Sequence, residues 1–414
     1  MKRRSTPITL VPHYMQQFAC IGSSCEDSCC VGWKVTIDED TYKKYRQVRD
    51  AEMTFQLQKR VTRNRSTPSQ QNFAKIKMEK DGSCPMLNEE KLCSIQLKLG
   101  EEYLSNTCAT YPRTTQNVNG VLERAATVSC PEIARLALLN PNGIDFDEIV
   151  EPSGTRYGRI PSLDTSDKSL DASAKKYLWE LRIFTIQVLQ NRNYSLSDRL
   201  ILLGMFYQKA SSLEESKAVD QIPGMITSYS NIIEEGTLRD DLAAVPAKQT
   251  MQLELLKEIV DARFKIGISN KRFLESYAEM MKGLGYVTGE ELSGVPEKYN
   301  EAYKAYFKPF NEEHEYIFEN YLVNYVFKNL FPFVTPTSLY DNYVMMVVHY
   351  SLIKLLLIGV GAFHKELTTD HAVKVIQSYS KMFEHNPLVL RRLLSLLKDS
   401  GYTSTPYMAI LIKN

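Results

Sequence analysis

No cysteine lies beyond position 130: all eight fall in the first third of a 414-residue chain. Charge of one sign is lacking too. With 50 Lys and Arg against 49 Asp and Glu, the formal charge is +1, so nothing in the overall balance points to nucleic acid. Hydrophobic residues make up 43% and charged residues 24%, which excludes a disordered, collagenous or multi-span membrane chain. Met1 to Phe18 is basic at Lys2–Arg4 but holds no apolar run of signal-peptide length. The expected location is therefore cytoplasmic, where cysteines stay reduced and clustered thiols mean metal or catalysis rather than disulfides. No internal repeat or low-complexity tract occurs, and strand-like alternation is almost absent.

The uneven cysteines divide the chain. Residues 1–130 carry 19 basic against 14 acidic side chains, a balance of +5; the remainder carries 31 against 35, or −4. Anionic thiolate–metal groups suit the basic segment. One stretch, Tyr343 to Phe363, imitates a membrane span, but His349 and Lys354 interrupt it. A central lysine costs roughly 2.5–3.5 kcal/mol on insertion. A buried core helix is expected there, with peripheral membrane contact as the lesser alternative and no transmembrane span.

The expected architecture is mainly α. A Cys-rich, loop-and-helix module at 1–135 is followed by a connector at 136–172 and an all-α domain at 173–414. Pro7 and Pro12 mark an N-terminal arm, and the acidic run Asp38–Asp40 opens a short helix. Gly and Pro recur through 81–131, which predicts loops. From 173 onward apolar residues recur at helical spacing, as in Leu178, Leu181, Phe184, Val188 and Leu189. Leu200, Ile201, Leu203 and Phe206 mark a second stripe, with Ser195 or Ser197 as its cap, and further helices are expected near 246–264, 270–284, 297–307, 311–330, 340–363, 369–382 and 387–398. Gly283, Gly285 and Gly289 imitate a nucleotide loop but follow a helix rather than a strand, so they read as a helix stop.

The thiols form two groups: Cys20, Cys25, Cys29 and Cys30, then Cys84, Cys93, Cys108 and Cys130. Zinc ribbons fail for want of paired knuckles. The plant-type ferredoxin spacing fails at Ser28, and the C-x3-C-x2-C spacing of radical enzymes fails at Gly32. A soft metal or iron–sulfur cluster fed by thiolates from distant loops still fits. Proline follows both Cys84 and Cys130, a habit of loops around such centres. Buried free thiols acting as small hydrophobes explain the confinement of all eight poorly.

Phe18-Ala19-Cys20, Cys25, Cys29-Cys30, Gly32-Trp33, Cys84-Pro85, Cys93 and Cys108 with Tyr111-Pro112-Arg113 resemble the YkgJ-type zinc- or iron-chelating cysteine cluster. With Lys34, the Ser129–Arg135 segment, the 318–325 block and Phe331-Pro332-Phe333, the pattern resembles the flagellin lysine-N-methylase family over nearly the whole chain. The resemblance implies an enzyme that uses S-adenosylmethionine to methylate lysines of flagellin and depends on a 4Fe-4S cluster.

Lysine methylation by direct displacement needs a neutral amine, a proton acceptor and an in-line sulfonium carbon. No strand–glycine–helix candidate offers the usual cofactor site. Candidates for the pocket lie in the 318–325 block: Asn320 and Asn324 share one helical face, Tyr321 and Tyr325 another. The amides and phenols can hold the methyl donor, with Tyr321 as its contact, or position the amine, and Glu319 can accept its proton. The plainer alternative is that tyrosines fill the core and amides satisfy backbone. Arg113 either meets the cluster's charge or a donor carboxylate, or forms a surface ion pair. His349 reads as a core histidine; Glu312–Glu315 reads as a solvated turn or as an attractant for lysine-bearing substrate. Two rivals stand beside the methylase: a zinc-stabilised interaction protein, and an iron–sulfur redox protein. Oligomerisation is left open.

Overall fold

The structure is a computed structural model describing residues 8–32, 34–152, 154–158, 160–264, 270–286, 294–385 and 387–414. Trp33 and Gly289 lie outside the described residues. The chain forms two compact units. The first comprises 1–133 and 146–162, the second 134–145 and 163–414.

The first unit departs from the loop-and-helix expectation, because it is built on strands. These are β1 (Ile8–Pro12), β2 (Thr36–Ile37), β3 (Val61–Arg63), β4 (Ala74–Ile76), β5 (Arg113–Val118), β6 (Val121–Ala126), β7 (Phe146–Val150) and the two-residue β8 (Ser162–Leu163). One sheet runs β7-β1-β6-β5-β8, with β1 parallel to β6; a smaller one runs β2-β4-β3. Asn119 and Gly120, at φ 53° and 83°, close the β5–β6 hairpin. Positive φ at both central residues is what a tight hairpin turn demands, and Asn-Gly supplies it with least strain. Part of the expected connector is also structured: β7 pairs antiparallel with β1 from Ile8↔Val150 to Pro12↔Phe146.

Short helices complete this unit: α1 (Glu39–Tyr45), α2 (Ala51–Arg60), α3 (Ser94–Leu99), α4 (Asn106–Thr110) and α5 (Pro131–Leu138), within which the chain passes to the second unit. Asp38 caps α1 by accepting from the Thr41 amide, and Asp50 caps α2 through Met53. Val35, Ile37, Met53, Leu57, Ile76, Met86 and Ile95 form a small core, against which Cys30 and Cys93 pack.

The second unit is helical. Its elements are α6 (Leu178–Leu189), α7 (Leu196–Glu215), α8 (Ile222–Glu235), α9 (Arg239–Ala244), α10 (Gln249–Phe264), α11 (Lys271–Leu284) and α12 (Val295–Ala302), which runs through a π-turn into α13 (Lys308–His314). They continue with α14 (Tyr316–Lys328), α15 (Leu339–His364), α16 (Thr369–Phe383), α17 (Pro387–Asp399) and α18 (Thr405–Ile412). Ser195 caps α7, and Gly285, at φ +65°, ends α11 as a helix stop. α15 is long and apolar enough to cross a membrane, yet its apolar window is wholly buried inside the protein. Ser338 and Asp341 give it a capping box. α11 crosses α15 closely because both carry glycine there. A Cβ on Gly283 would meet the Gly359 carbonyl, and one on Gly359 would meet Met280.

Candidate functional site

In the first unit, two loops bring the cysteines together. The Cys84 amide donates to the Cys30 carbonyl at 2.8 Å and Gly32 to Gly82 at 2.9 Å, which stitches the first cysteine loop to the second. Gly32, at φ +81°, permits that turn. Cys93 stands at the N-terminus of α3, Cys108 lies within α4, and Cys130 precedes α5. All eight are free thiols.

The sulfurs sense one another. Cys29 and Cys30 lie 4.0 Å apart, and this contact, with burial and the nearby Cys84 and Cys108, drives the Cys30 thiol far above its ordinary range. Burial raises Cys84, aided by Cys93 and Cys29. Cys108 is exposed as a residue, yet enough protein surrounds its sulfur to push the thiol up to about 12, with Cys93, Cys84 and Cys29 adding to the effect. Burial, Cys25 and Cys29 take Cys130 to about 11. Two sets thus share Cys29: one with Cys30, Cys84, Cys93 and Cys108, the other with Cys25 and Cys130.

Crowded thiols that resist ionisation are what a soft cation reverses, since it binds the thiolate form. In kind and number the donors fit a soft metal or an iron–sulfur cluster. Among the described residues, however, no three His, Cys, Asp or Glu side chains meet as a ready metal-binding group.

Arg113 opens β5 with its guanidinium 4.8 Å from the centre of the Phe18 ring. Burial and neighbouring Arg124 lower its pKa, while Glu101, Glu151 and the Cys20 thiol raise it. Arg124 has its own partner, donating at 2.9 Å to both oxygens of Glu151. Arg113 has no hydrogen bond or ion pair to its guanidinium among the described residues, so the surface ion pair is not found.

In the second unit, α14 presents opposite sides to different partners, as residues two apart on a helix must. Glu319 is buried and accepts from Arg192 Nη2 and Arg199 Nη1, each at 2.8 Å. Its hydrogen bonds are those of a structural ion pair, not of an idle proton acceptor. Asn320 donates to the Leu138 and Asn140 carbonyls, Gln190 to that of Ile144, and Arg192 to that of Pro141. Together they hold the 138–144 turn. Asn324 is buried.

Tyr321, Tyr325 and Lys328 follow at i, i+4 and i+7. The Tyr321 hydroxyl donates to Glu384 Oε1 at 3.0 Å, and Lys328 Nζ to Oε2 at 2.7 Å. The Tyr325 ring lies 5.2 Å from that of His349, whose Nδ1 is 2.8 Å from the Tyr379 hydroxyl. His349 Nε2 is buried without a partner. Burial would raise Glu384, but Lys328 and His349 bring it down to about 2; burial takes His349 down to about 4. Sequence reasoning missed Arg192, Arg199, Lys328 and Glu384. No local signal marks them, because their partners lie 56 to 127 residues away. A small groove with a cavity volume of about 30 Å³, partly open to solvent, lies elsewhere in this unit, walled by Leu253, Val260, Met280 and Leu355, with Lys257 and Tyr277 lining it.

Comparison with known proteins follows the helical unit. Residues 182–411 match the family model of the FliB lysine N-methylase C-terminal domain. A lysine-N-methylase of Salmonella typhimurium is 23% identical over 388 residues, covering 92% of each chain, and one of Salmonella choleraesuis is 22% identical over the same span. A flagellar biosynthetic protein, FliU, of Salmonella muenchen is 33% identical over 138 residues, which are 33% of this chain and 80% of that one. No solved structure matches. More than half of the chain, including α14, α15 and α16, lies within the matched model, and the chain belongs to the FliB lysine N-methylase family.

Proposed function

We propose that this chain is a cytoplasmic protein lysine N-methyltransferase that takes its methyl group from S-adenosylmethionine and acts on flagellin, with an iron–sulfur cluster held by its thiols. The observation that carries the reading is the family match over 182–411, alongside relatives named lysine-N-methylase along 92% of the chain. The name of FliU favours a flagellar substrate. The crowded free thiols favour a cluster.

When bound, S-adenosylmethionine would supply an electrophilic methyl group to the neutral lysine amine, leaving as the thioether S-adenosylhomocysteine, with the amine's proton released to solvent. Cys29, Cys30, Cys84, Cys93 and Cys108 are the residues that would hold the cluster, with Cys25 and Cys130 as the second set around Cys29. A cluster there supplies redox and Lewis-acid capacity. α14 acts as a frame. Asn320 fixes the 138–144 turn directly and Glu319 does so through Arg192, while Tyr321 and Tyr325 pin α14 towards α15 and α16.

The test is to incubate protein purified without oxygen with S-adenosylmethionine and flagellin, then map lysine masses by peptide mass spectrometry. Methyl-sized gains on lysines, absent without the donor, are expected. Unchanged flagellin with fully metal-loaded protein overturns the reading and favours a partner-binding role.

A further inference from the structure

Arg113 is the anomaly of the first unit. A half-buried guanidinium has surrendered part of its hydration, and that loss is ordinarily offset by a carboxylate or by carbonyls. The neighbouring arginines have hydrogen-bond partners, although Arg124 Nε is buried without one. Arg124 holds Glu151 with two bonds, and Arg156 donates to the Glu101 and Leu104 carbonyls and to Asn106. Arg113 has no hydrogen bond to its guanidinium among the described residues; it has the Phe18 ring, with Glu101, Glu151 and Cys20 near enough to act on its charge. Stacking on an aromatic face orders a guanidinium without using any of its five donors. The backbone beneath it is fixed in β5, where Arg113 pairs with Ala126.

We infer that Arg113, ordered by Phe18, is the subsite that takes the carboxylate of the methyl donor, beside Cys20 in the thiol unit. This deepens the reading above and rests on it. A planar fork with unclaimed donors matches the two oxygens of a carboxylate, and such charge-assisted pairs are among the stronger hydrogen bonds. Phe18 is a positioning residue: it touches the guanidinium, not the ligand.

The experiment measures equilibrium binding of S-adenosylhomocysteine and of decarboxylated S-adenosylmethionine to the whole protein under nitrogen, with metal content determined on each sample. Arg113→Met is expected to weaken S-adenosylhomocysteine by about 10- to 100-fold. It should leave the carboxylate-free ligand unchanged and metal content intact. Arg113→Lys keeps the charge but loses the fork; it should weaken the first ligand several-fold and so covers a failure of the methionine variant to fold. Equal weakening of both ligands, no weakening, or loss of metal with the ligand overturns the assignment. Loss of binding in Met280→Trp, which fills the groove of the second unit, with Arg113→Met unaffected, places the donor there instead. If the native protein binds neither ligand, the choice of methyl donor fails and the inference with it. Native binding indifferent to Arg113 sinks the inference alone.

Discussion

The two units of this protein bury themselves by different means. The second relies on long helices: α15 alone spans 26 residues and hides nearly all of them, and the Arg199–Glu319 and Lys328–Glu384 pairs are enclosed. The first has strands of two to six residues, a small apolar core and eight free thiols, several pushed away from ionisation by one another. One unit is held mainly by apolar helix packing. The other holds thiols whose charged form is disfavoured by burial and by one another. Stability and chemistry are thus expected to separate between the units, and mutations can test that separation.

The largest effect should come from the thiols. Cys84→Ser removes a buried sulfur from the shared set, and bound metal should fall by more than about tenfold, while circular dichroism still shows the helical unit. Retention of metal and activity would remove Cys84 from the donor set. Next comes Glu319→Ala, which takes the shared buried carboxylate from Arg192 and Arg199 and leaves Arg199 paired with Glu315 alone. Breaking a buried pair costs about 3–5 kcal/mol, read as a lower urea midpoint; the KM for flagellin of the surviving folded protein should not change. A changed KM at unchanged stability would return Glu319 to the reacting centre.

A smaller effect is set by pH. His349 is depressed from its usual 6.5 to about 4, so the unfolded chain binds the extra proton between these values. Stability is then full above pH 6.5 and falls as pH drops towards 4, with a loss of about 2 kcal/mol by pH 5. Urea titrations of the wild type and His349→Gln at pH 7 and pH 5 isolate this contribution, which the variant should lack. The smallest concerns close packing. Gly359→Ala drives a methyl into Met280 and should cost about 1–3 kcal/mol in the helical unit, without altering metal content.

The same contrast governs how much was legible in the sequence. Leu178, Leu181, Phe184 and Leu189 announced α6 because a 3.6-residue period survives in any long amphipathic helix. Ser195 and Gly285 marked helix ends by their own chemistry. The strands were not legible. β5 reads Arg-Thr-Thr-Gln-Asn-Val, polar up to its closing valine, and the β1 strand that pairs with β6 lies more than a hundred residues upstream. One signal was overlooked: Asn119-Gly120 between Val118 and Val121 announces a hairpin. α8 and α18 also went unexpected. At the candidate site, the cysteines and Arg113 stand out by type and position. The partners of Glu319 and Tyr321 do not, since an ion pair between residues 127 apart leaves no local pattern.

The central claim is that the first unit is built around a metal cluster. It is tested most directly by iron, sulfide and zinc analysis with an absorbance spectrum on the whole protein purified without oxygen. A brown protein with about four irons and matching sulfide per chain, bleached by air, is the predicted result. A colourless protein carrying stoichiometric zinc, or no metal at all, would contradict it.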